Sequence, residues 1–294
     1  MNKDITSMQN STPKGTLLNT GQILTGRVPV YKAPDKTSMQ VSQLLFGEHY
    51  DIYSHSPDRD HAIAMDNIAE NWHLVQSKRD GYMGYLNSAE TITPLFESNA
   101  KVSQLSTALY AAPDMKSPVL RELPFGAELY VVTGNQLNTE YNHDYYFSPP
   151  LQAWVYKAHL VLNNQLHTDP VALARQFIGL SYMWGGRSGW GCDCSSLVQL
   201  CYELCGCLLP RDTAQQVLHT SAFEKEVITR ENISAADLLF WPGHVAIASS
   251  HSTLIHATAF GMQVIEEPID LVCERIHIAY GTASTILRPR FITG

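Results

Sequence analysis

The first half of the chain contains a repeat without gaps. The motif Val-Tyr-Lys-Ala-Pro-Asp at residues 30–35 returns 79 residues later as Leu-Tyr-Ala-Ala-Pro-Asp at 109–114, and Phe-Gly at 46–47 returns at the same offset at 125–126. A pattern that repeats at a fixed offset indicates one small structural unit used twice. Both copies consist of short runs rich in β-branched and aromatic residues, separated by Pro, Gly or Asp, which is typical of a small all-β barrel.

Each copy ends in a run that predicts a closing strand, at residues 81–86 in the first copy and 151–156 in the second. The order of Ala-Pro-Asp, Phe-Gly and a closing strand resembles bacterial SH3-like domains. We therefore expect a first SH3-like domain at residues 24–92 and a second at 93–163. Residues 1–23 are rich in Ser, Thr and Asn and have no apolar period, so they predict an N-terminal tail or a strap across the surface.

The sequence changes character at residue 164, where helical patterns replace the short strands. Residues 170–178 predict a helix with Pro170 in its first turn, and a second helical pattern follows a Gly-rich segment at 184–191 and ends at Gly206. From residue 236 onward the pattern is that of strands, in the runs 237–241, 245–248, 254–258, 263–265 and 284–287. Residues 164–294 therefore predict an α+β domain.

Charge and composition exclude several classes of protein. The 294 residues include 20 Lys and Arg against 28 Asp and Glu, so we expect no nucleic-acid partner. Without an apolar stretch of about 18 residues or the apolar core of a signal peptide, we expect no membrane partner and a cytoplasmic location. Five of the six cysteines crowd into residues 192–207, which favours reduced thiols over a disulfide framework.

Cys194 stands where the second helix of the α+β domain should begin, directly after Asp193 as a candidate N-cap. A thiol at that end of a helix lies near the positive pole of the helix dipole, which lowers its pKa from about 8.5. Cys194 is therefore a candidate nucleophile. The alternative is that Cys194 is one of several small core residues on a Cys-rich helix.

Two histidines fall on neighbouring predicted strands. His244 heads the apolar run 245–248, and His256 lies inside the run 254–258. If residues 249–253 connect the two strands as a hairpin, both histidines point to one face as diagonal neighbours, about 7–8 Å apart at Cα. A helix-capping thiol, a base on a strand and a group that fixes the tautomer of the base form a Cys-His-polar triad.

A metal site is the main alternative for these residue types. The clusters Cys-Asp-Cys at 192–194 and Cys-Gly-Cys at 205–207 lack the two-residue spacing of common zinc sites, so we expect no metal and no cofactor. The Gly-rich segment has no Lys-Ser or Lys-Thr and does not match the dinucleotide fingerprint, so phosphate binding has weak support.

Five motifs in residues 165–294 resemble the successive motifs of NlpC/P60 papain-like cysteine peptidases. They lie at residues 182–186, 191–199, 209–216, 243–247 and 255–257. The resemblance implies that Cys194 attacks the substrate and that His244 acts as base and then as acid. It also implies that His256 orients His244, and that Tyr182 and a backbone N–H stabilise the oxyanion. The family usually has Gly where this chain has Ser196.

Two SH3-like domains before such a domain resemble the γ-D-glutamyl-L-diamino acid endopeptidases. That resemblance implies murein tripeptides or tetrapeptides with a free N-terminal L-Ala as substrates. In similar enzymes the first SH3-like domain contributes an acid and a Tyr that hold the ammonium, at positions that here are Glu48 and Tyr82. The second copy has Ala127 where the first has Glu48. The other residues implied in substrate binding are Asp193, Ser195, Arg211, Asp212 and Thr213.

We therefore expect a cytosolic cysteine endopeptidase that cleaves the bond between γ-D-Glu and a diamino acid in the recycling of cell-wall peptides. One alternative is a wall-binding or scaffold protein with an inert papain-like domain, which should have lost its Cys, His or Tyr. Another is a papain-like amidase or acyltransferase that acts on a different amide, which a membrane-facing hydrophobic segment would favour. The sequence retains all three residue types and has no such segment.

Overall fold

The computed structural model describes residues 15–54, 71–87, 96–133, 144–224, 228–280 and 285–290. The strands of the first repeat copy are β1 (Leu17–Gln22), β2 (Arg27–Tyr31), β3 (Gln40–Leu45), β4 (His49–Tyr53), β5 (Trp72–Ser77) and β6 (Met83–Asn87). They form one antiparallel sheet in the order β1-β4-β5-β6-β2-β3. Within the described residues the edge strands β1 and β3 do not pair, so the predicted barrel is an open sheet here.

Strand β1 differs from the predicted N-terminal tail. It pairs with β4, from Leu17 opposite Tyr53 to Gln22 opposite His49. The side chain of Gln22 is buried and donates to the backbone carbonyl of Gly47 over 2.9 Å. The tail prediction is therefore wrong for β1, because this strand is held by backbone pairing and has no apolar alternation to reveal it. Residues 1–14 of the predicted tail lie outside the described residues.

Among the described residues, the second repeat copy has seven strands, one more than the first. Its strands are β7 (Ala100–Val102), β8 (Ser106–Tyr110), β9 (Val119–Pro124), β10 (Glu128–Leu129), β11 (Tyr145–Ser148), β12 (Ala153–Tyr156) and β13 (Leu160–Leu162). Strand β8 begins and ends 79 residues after β2, and β9 begins and ends 79 residues after β3. The strands are divided between a sheet β10-β7-β13 and a sheet β11-β12-β8-β9.

The last part of the chain combines helices with a five-stranded antiparallel sheet and a short two-stranded one, as the α+β prediction requires. Its elements are α1 (Pro170–Arg175), β14 (Arg187–Ser188), β15 (Gly191–Cys192), α2 (Cys194–Glu203), α3 (Thr213–Gln216), β16 (Leu238–Trp241), β17 (His244–Ala248), β18 (Thr253–Thr258), β19 (Gln263–Pro268), α4 (Ile269–Tyr280) and β20 (Thr285–Leu287). The sheet order is β19-β18-β17-β16-β20. Helix α2 packs against β17 and β18, and its apolar face joins the core of this unit.

Two features of this unit differ from the sequence prediction. Helix α1 ends at Arg175, short of the predicted end at residue 178, and Ile178 is exposed. Helix α4 lies where the prediction has strands only, although Ile269 and Val272 are buried three residues apart, a helical spacing. Among the described residues, no helix has the length and hydropathy needed to cross a membrane.

The repeated Phe-Gly turns join each unit to the next. Phe46, from the first copy, is fully buried in the core of the second copy. Phe125, at the same place in the second copy, is fully buried in the core around α2 and stacks edge-on against Phe177, with ring centroids 4.9 Å apart. The motif that defines the repeat is therefore also the contact that links three successive units.

The Gly-rich segment before α2 is a packing surface for both SH3-like copies. A Cβ at Gly185 would lie 2.6 Å from the backbone oxygen of Gln40 in the first copy, and Gly185 has φ +67°. A Cβ at Gly189 would overlap the backbone oxygen of Leu105 in the second copy. Real Cβ atoms cannot approach so closely, so these glycines let three backbones meet.

Candidate active site

Cys194 is the first residue of α2, and Asp193 is the N-cap, as predicted. The carboxylate of Asp193 accepts a hydrogen bond from the backbone N–H of Ser196, and the Ser196 hydroxyl accepts one from the backbone N–H of Asp193. These two bonds form a capping box. Ser196 therefore fixes the start of the helix that carries the thiol.

The thiol of Cys194 is held in a nearly closed environment. The residue is 7% exposed, its Sγ lies 4.0 Å from the hydroxyl of Thr213, and it accepts a hydrogen bond from the backbone N–H of Val245. Burial raises the pKa of Cys194 to about 11, and the charge of Asp193 adds to the increase. The predicted lowering of this pKa is therefore wrong, because burial outweighs the N–H donors at the helix start.

The two predicted histidines meet as the hairpin argument requires. Strands β17 and β18 pair with Ile247 opposite Ile255, which places His244 and His256 diagonally on one face. The Nε2 atom of His244 lies 2.8 Å from the Nδ1 atom of His256, and the rings are 5.1 Å apart. The Nδ1 atom of His244 makes no hydrogen bond to a described residue, so it remains available to a proton donor.

Both imidazoles are held neutral near pH 7. Burial lowers the pKa of His244 to about 4, and the charge of Arg275 lowers it further. Burial also lowers the pKa of His256 to about 3, with added effects from His244 and Arg275. Neutral histidines suit a base that must accept a proton from a thiol, since a protonated ring could not accept one.

Tyr182 lies beside the thiol, at a backbone bridge to Cys192. Burial raises the pKa of its phenol, and the charges of Cys194 and Asp193 add to the effect. The hydroxyl therefore stays protonated and can donate a hydrogen bond at the site. This position suits the predicted contribution of Tyr182 to an oxyanion site, which stays a prediction.

Asp193 and Ser195 are already occupied by Arg211. The guanidinium of Arg211 lies 2.9 and 2.6 Å from the two carboxylate oxygens of Asp193 and 2.8 Å from the hydroxyl of Ser195. Asp193 also accepts from the Ser195 hydroxyl and from the backbone of Gly185 and Ser196, so five donors share about four lone-pair sites. This geometry does not fit the prediction that Asp193 and Ser195 hold a substrate ammonium.

The side chain of Arg211 is buried and clamps Asp193, Ser195 and Ser42 together through its hydrogen bonds. It is 1% exposed, and its Nε atom donates to the hydroxyl of Ser42 in the first SH3-like copy over 3.1 Å. Its donors therefore face protein groups on several sides, which does not fit the predicted role of Arg211 in contacting the substrate directly. The clamp instead positions Asp193, and through it the start of α2.

Asp212 and Tyr82 form the acidic part of the site. The Tyr82 hydroxyl, from the first SH3-like copy, lies 3.4 Å from a carboxylate oxygen of Asp212. Burial and the charges of Asp193 and Asp80 raise the pKa of Asp212 to about 6, although Arg211 and the Tyr82 hydroxyl oppose the increase. Asp212 directly precedes Thr213, whose hydroxyl faces Cys194. A carboxylate with a raised pKa is stabilised by a bound cation.

Glu48 lies in a buried ion pair with Arg187. Its two oxygens accept from Arg187 over 2.6 and 2.9 Å, and one also accepts from the backbone N–H of Leu45 over 2.8 Å. Glu48 and Arg187 are each 2% exposed. The predicted role of Glu48 as an ammonium ligand does not fit this geometry, because a guanidinium of the protein already neutralises the carboxylate.

Sequence reasoning missed Arg187 and Glu267. Arg187 lies in the Gly-rich segment, and a lone Arg among glycines close to a nucleophile is the signal that could have found it. Glu267 lies on β19, the strand beside His256, with its Oε1 atom 3.8 Å from the Nε2 atom of His256. The alternation of β19 would have placed Glu267 on the face of the histidines.

A cavity of about 570 Å³ lies at the junction of the three units, away from Cys194 and the histidines. Its walls include the ion pairs of Glu203 with Arg79 and with Lys101, and of Lys101 with Glu128. Those pairs hold both SH3-like copies to α2.

Among the described residues, no group of three or more His, Cys, Asp or Glu is arranged to hold a metal ion. All six cysteines are described and are free of disulfide bonds in the structure.

Two parts of the chain match known families. Residues 179–278 match the NlpC/P60 family, and residues 30–90 match the bacterial dipeptidyl-peptidase SH3 domain. The chain is 25% identical over 261 residues to a protein of Lysinibacillus sphaericus named dipeptidyl-peptidase 6, covering 82% of this chain and 88% of that protein. It is 29% identical over 104 residues to a γ-D-glutamyl-L-lysine dipeptidyl-peptidase of Bacillus subtilis, covering 33% of each.

A solved structure has the same fold over most of the chain. It is an NlpC/P60 family protein from Bacillus cereus, with a TM-score of 0.71 and 18% identity, and the match covers 93% of this chain and 100% of that one. An NlpC/P60 endopeptidase from Photobacterium damselae matches at a TM-score of 0.53 and 12% identity, over 92% of this chain and 71% of that one. The overall fold of this chain is therefore shared with solved NlpC/P60 proteins.

Proposed function

Because the chain carries an NlpC/P60 domain preceded by a bacterial dipeptidyl-peptidase SH3 domain, we propose that it is a cysteine peptidase of murein stem peptides. It cleaves the bond between γ-D-Glu and a diamino acid in peptides with a free N-terminal L-Ala. The observation that carries the proposal is the hydrogen-bonded pair of His244 and His256 on the strands that pack against α2, with Cys194 at the start of that helix.

The proposed reaction uses the free nitrogen of His244. With a pKa of about 11, Cys194 alone would be a thiolate in roughly one molecule in ten thousand at pH 7, so attack requires a base. His244 accepts the thiol proton at Nδ1 as Sγ attacks the γ-carbonyl carbon of D-Glu. The leaving amine takes that proton as the tetrahedral intermediate collapses, and water then hydrolyses the thioester with His244 again as base.

We place the substrate ammonium at Asp212 and Tyr82, in place of the predicted Glu48, Asp193 and Ser195. The pKa of Asp212 is raised, which indicates that the charge of Arg211 does not fully offset the cost of burying this carboxylate. The Tyr82 hydroxyl beside it supplies a second acceptor. A buried ammonium needs charged and polar acceptors to replace its hydration. An acetylated amine brings no charge, so it leaves Asp212 without a cation and adds bulk.

The proposed preference for peptides with a free N-terminal amine indicates a biological role. An enzyme that requires a free N-terminal L-Ala acts on peptides already released from the sugar chains, so we propose that the protein recycles murein tripeptides and tetrapeptides in the cytoplasm. The names of the relatives from Lysinibacillus sphaericus and Bacillus subtilis, a dipeptidyl-peptidase and a γ-D-glutamyl-L-lysine dipeptidyl-peptidase, support a dipeptide product.

The experiment that tests the function is a cleavage assay with mass detection of the products. The substrates are L-Ala-γ-D-Glu-meso-diaminopimelate, its L-Lys counterpart and the N-acetylated form of each. We expect release of L-Ala-γ-D-Glu from the free peptides, little release from the acetylated ones, and none with Cys194→Ala. Cys273→Ala is the matched control, because Cys273 is a free thiol on α4, outside the site. Equal cleavage of free and acetylated peptides would contradict the placement of the ammonium, and no cleavage would favour an inert module.

A further inference from the structure

Glu267 continues the diagonal line of the two histidines onto a third strand. Strands β18 and β19 pair with His256 opposite Ile265 and Leu254 opposite Glu267. Residues two apart on a strand share a face, so Glu267 is the diagonal neighbour of His256, as His256 is of His244. The line of side chains therefore runs from His244 on β17 through His256 on β18 to Glu267 on β19.

The outer nitrogen of His256 is buried and faces this carboxylate. His256 is 1% exposed, and its Nε2 atom makes no hydrogen bond to any described residue. The Oε1 atom of Glu267 lies 3.8 Å from it. This separation is longer than a hydrogen bond of about 2.7–3.2 Å. Hydrogen bonds of catalytic groups are often long in unliganded enzymes and shorten when substrate binds.

The position of Glu267 is set from the other side by Arg275. The guanidinium of Arg275, on α4, lies 2.7 Å from Oε2 and 3.1 Å from Oε1 of Glu267. Arg275 also stacks over the ring of Phe260, with its guanidinium carbon 4.1 Å from the ring centroid. Helix α4, which the sequence prediction missed, therefore holds the carboxylate against β18.

Proton positions along this line depend on one another. For His244 to accept the thiol proton at Nδ1, its neutral ring must carry the proton on Nε2. That N–H must be donated to Nδ1 of His256 over the 2.8 Å contact, so His256 must carry its own proton on Nε2. A buried N–H at this position requires an acceptor, and the Oε1 atom of Glu267 faces it.

We propose that Glu267 is a positioning residue that holds His256 in the Nε2–H tautomer and so keeps the Nδ1 atom of His244 unprotonated toward Cys194. The inference rests on the proposed thiol-peptidase function. It adds a fourth group, on β19, to the predicted set of Cys194, His244 and His256. Glu267 acts through the two histidines and does not contact the substrate.

The first test observes the protons directly. Nitrogen-15 NMR of the histidine rings in the whole protein distinguishes the two tautomers, with the signals assigned from His244→Gln and His256→Gln variants. We expect both rings as Nε2–H tautomers in the unaltered protein, and a mixture in Glu267→Ala. The matched control is Glu266→Ala, because Glu266 lies on the opposite face of β19 and pairs with Arg175. A proton on Nδ1 of His256 in the unaltered protein would overturn the proposal without any variant.

The second test measures reactivity. In Glu267→Ala we expect kcat and the rate of Cys194 alkylation by iodoacetamide at pH 7 each to fall at least about tenfold, with KM nearly unchanged, because only the base is misplaced. Glu266→Ala should match the unaltered protein in all three. Equal behaviour of the two variants would refute the role of Glu267.

A double variant separates tautomer control from simple charge balance. Removing Glu267 alone leaves the cation of Arg275 near His256, whereas Glu267→Ala with Arg275→Ala removes both charges. We expect the double variant to keep the mixed tautomers and the slow alkylation. Recovery of the single tautomer in the double variant would refute the proposal. Alkylation needs no substrate, so an absence of peptide cleavage would overturn the proposed function while leaving this test intact.

Discussion

Replacing Glu48 should destabilise the protein without changing its preference for a free amine. The change Glu48→Gln keeps the size of the side chain and removes the charge that faces Arg187. Arg187 would then keep its bonds to Gln199 and to the backbone of Gln43, but its charge would lose its buried counter-ion. A guanidinium that is 2% exposed cannot recover its hydration in place.

The magnitude follows from the burial of both partners. Removing one member of a buried pair costs about 3–5 kcal/mol, and the two remaining acceptors of Arg187 place the expected loss near the lower end, at about 3 kcal/mol. For a chain of this size that loss lowers the melting temperature by roughly 6–12 °C. The surface pair of Lys78 and Asp51 offers a contrast, because Lys78 is half exposed and such pairs contribute about 1 kcal/mol or less.

Thermal unfolding followed by circular dichroism measures the difference, with Asp51→Asn as the matched control. We expect a clear decrease in melting temperature for Glu48→Gln and a small one for Asp51→Asn, while both variants still distinguish free from acetylated tripeptide. If the Glu48→Gln variant has the melting temperature of the unaltered protein and cleaves the free and acetylated peptides equally, Glu48 binds the ammonium. That result would refute our reasoning from the ion pair.

Three further changes test the site. Replacing His244 by Ala should abolish turnover and slow the alkylation of Cys194 at pH 7, because the thiol loses its base; unchanged labelling of the Cys194 peptide by mass spectrometry would contradict this. The carboxyl of Asp212 is protonated below a pKa of about 6, so KM for the free tripeptide should rise as pH falls through that value. Asp212→Asn should remove this dependence in initial-rate measurements, and a surviving dependence would exclude Asp212. Ser196→Ala should lower the free energy of unfolding in urea by about 0.5–1.5 kcal/mol, because it removes one hydrogen bond of the capping box, and an unaltered urea midpoint would refute the capping role.

The local features of the fold could be predicted because they are encoded in neighbouring residues. The offset of 79 recurs in the bounds of β2 and β8, the cap Asp193 marks the start of α2, and alternation along β17 and β18 brings the histidines together. Each of these inferences needs only the period of a strand or the hydrogen bonds of one helix turn.

The features that could not be predicted depend on contacts distant in sequence. The pKa of Cys194 is decided by burial under other elements, and the partner of Glu48 is an Arg 139 residues away in a different unit. The sequence shows that Glu48 is an acid in a turn and does not show which cation covers it. Strand β1 was missed for the same reason, because its pairing with β4 is made by backbone atoms that every residue has.

Phe46 and Phe125 are buried in the cores of the units that follow them, so the folding of each unit depends on its neighbour. Each unit completes the hydrophobic interior of the next, so the second copy without the first has a gap the size of a phenyl ring, and the papain-like unit without the second copy has another. Large-to-small changes at such positions cost about 3–5 kcal/mol each. That is a large share of the 5–15 kcal/mol by which a domain is ordinarily stable. We therefore expect the three units to unfold together. During synthesis each unit emerges before the one whose core its Phe side chain completes.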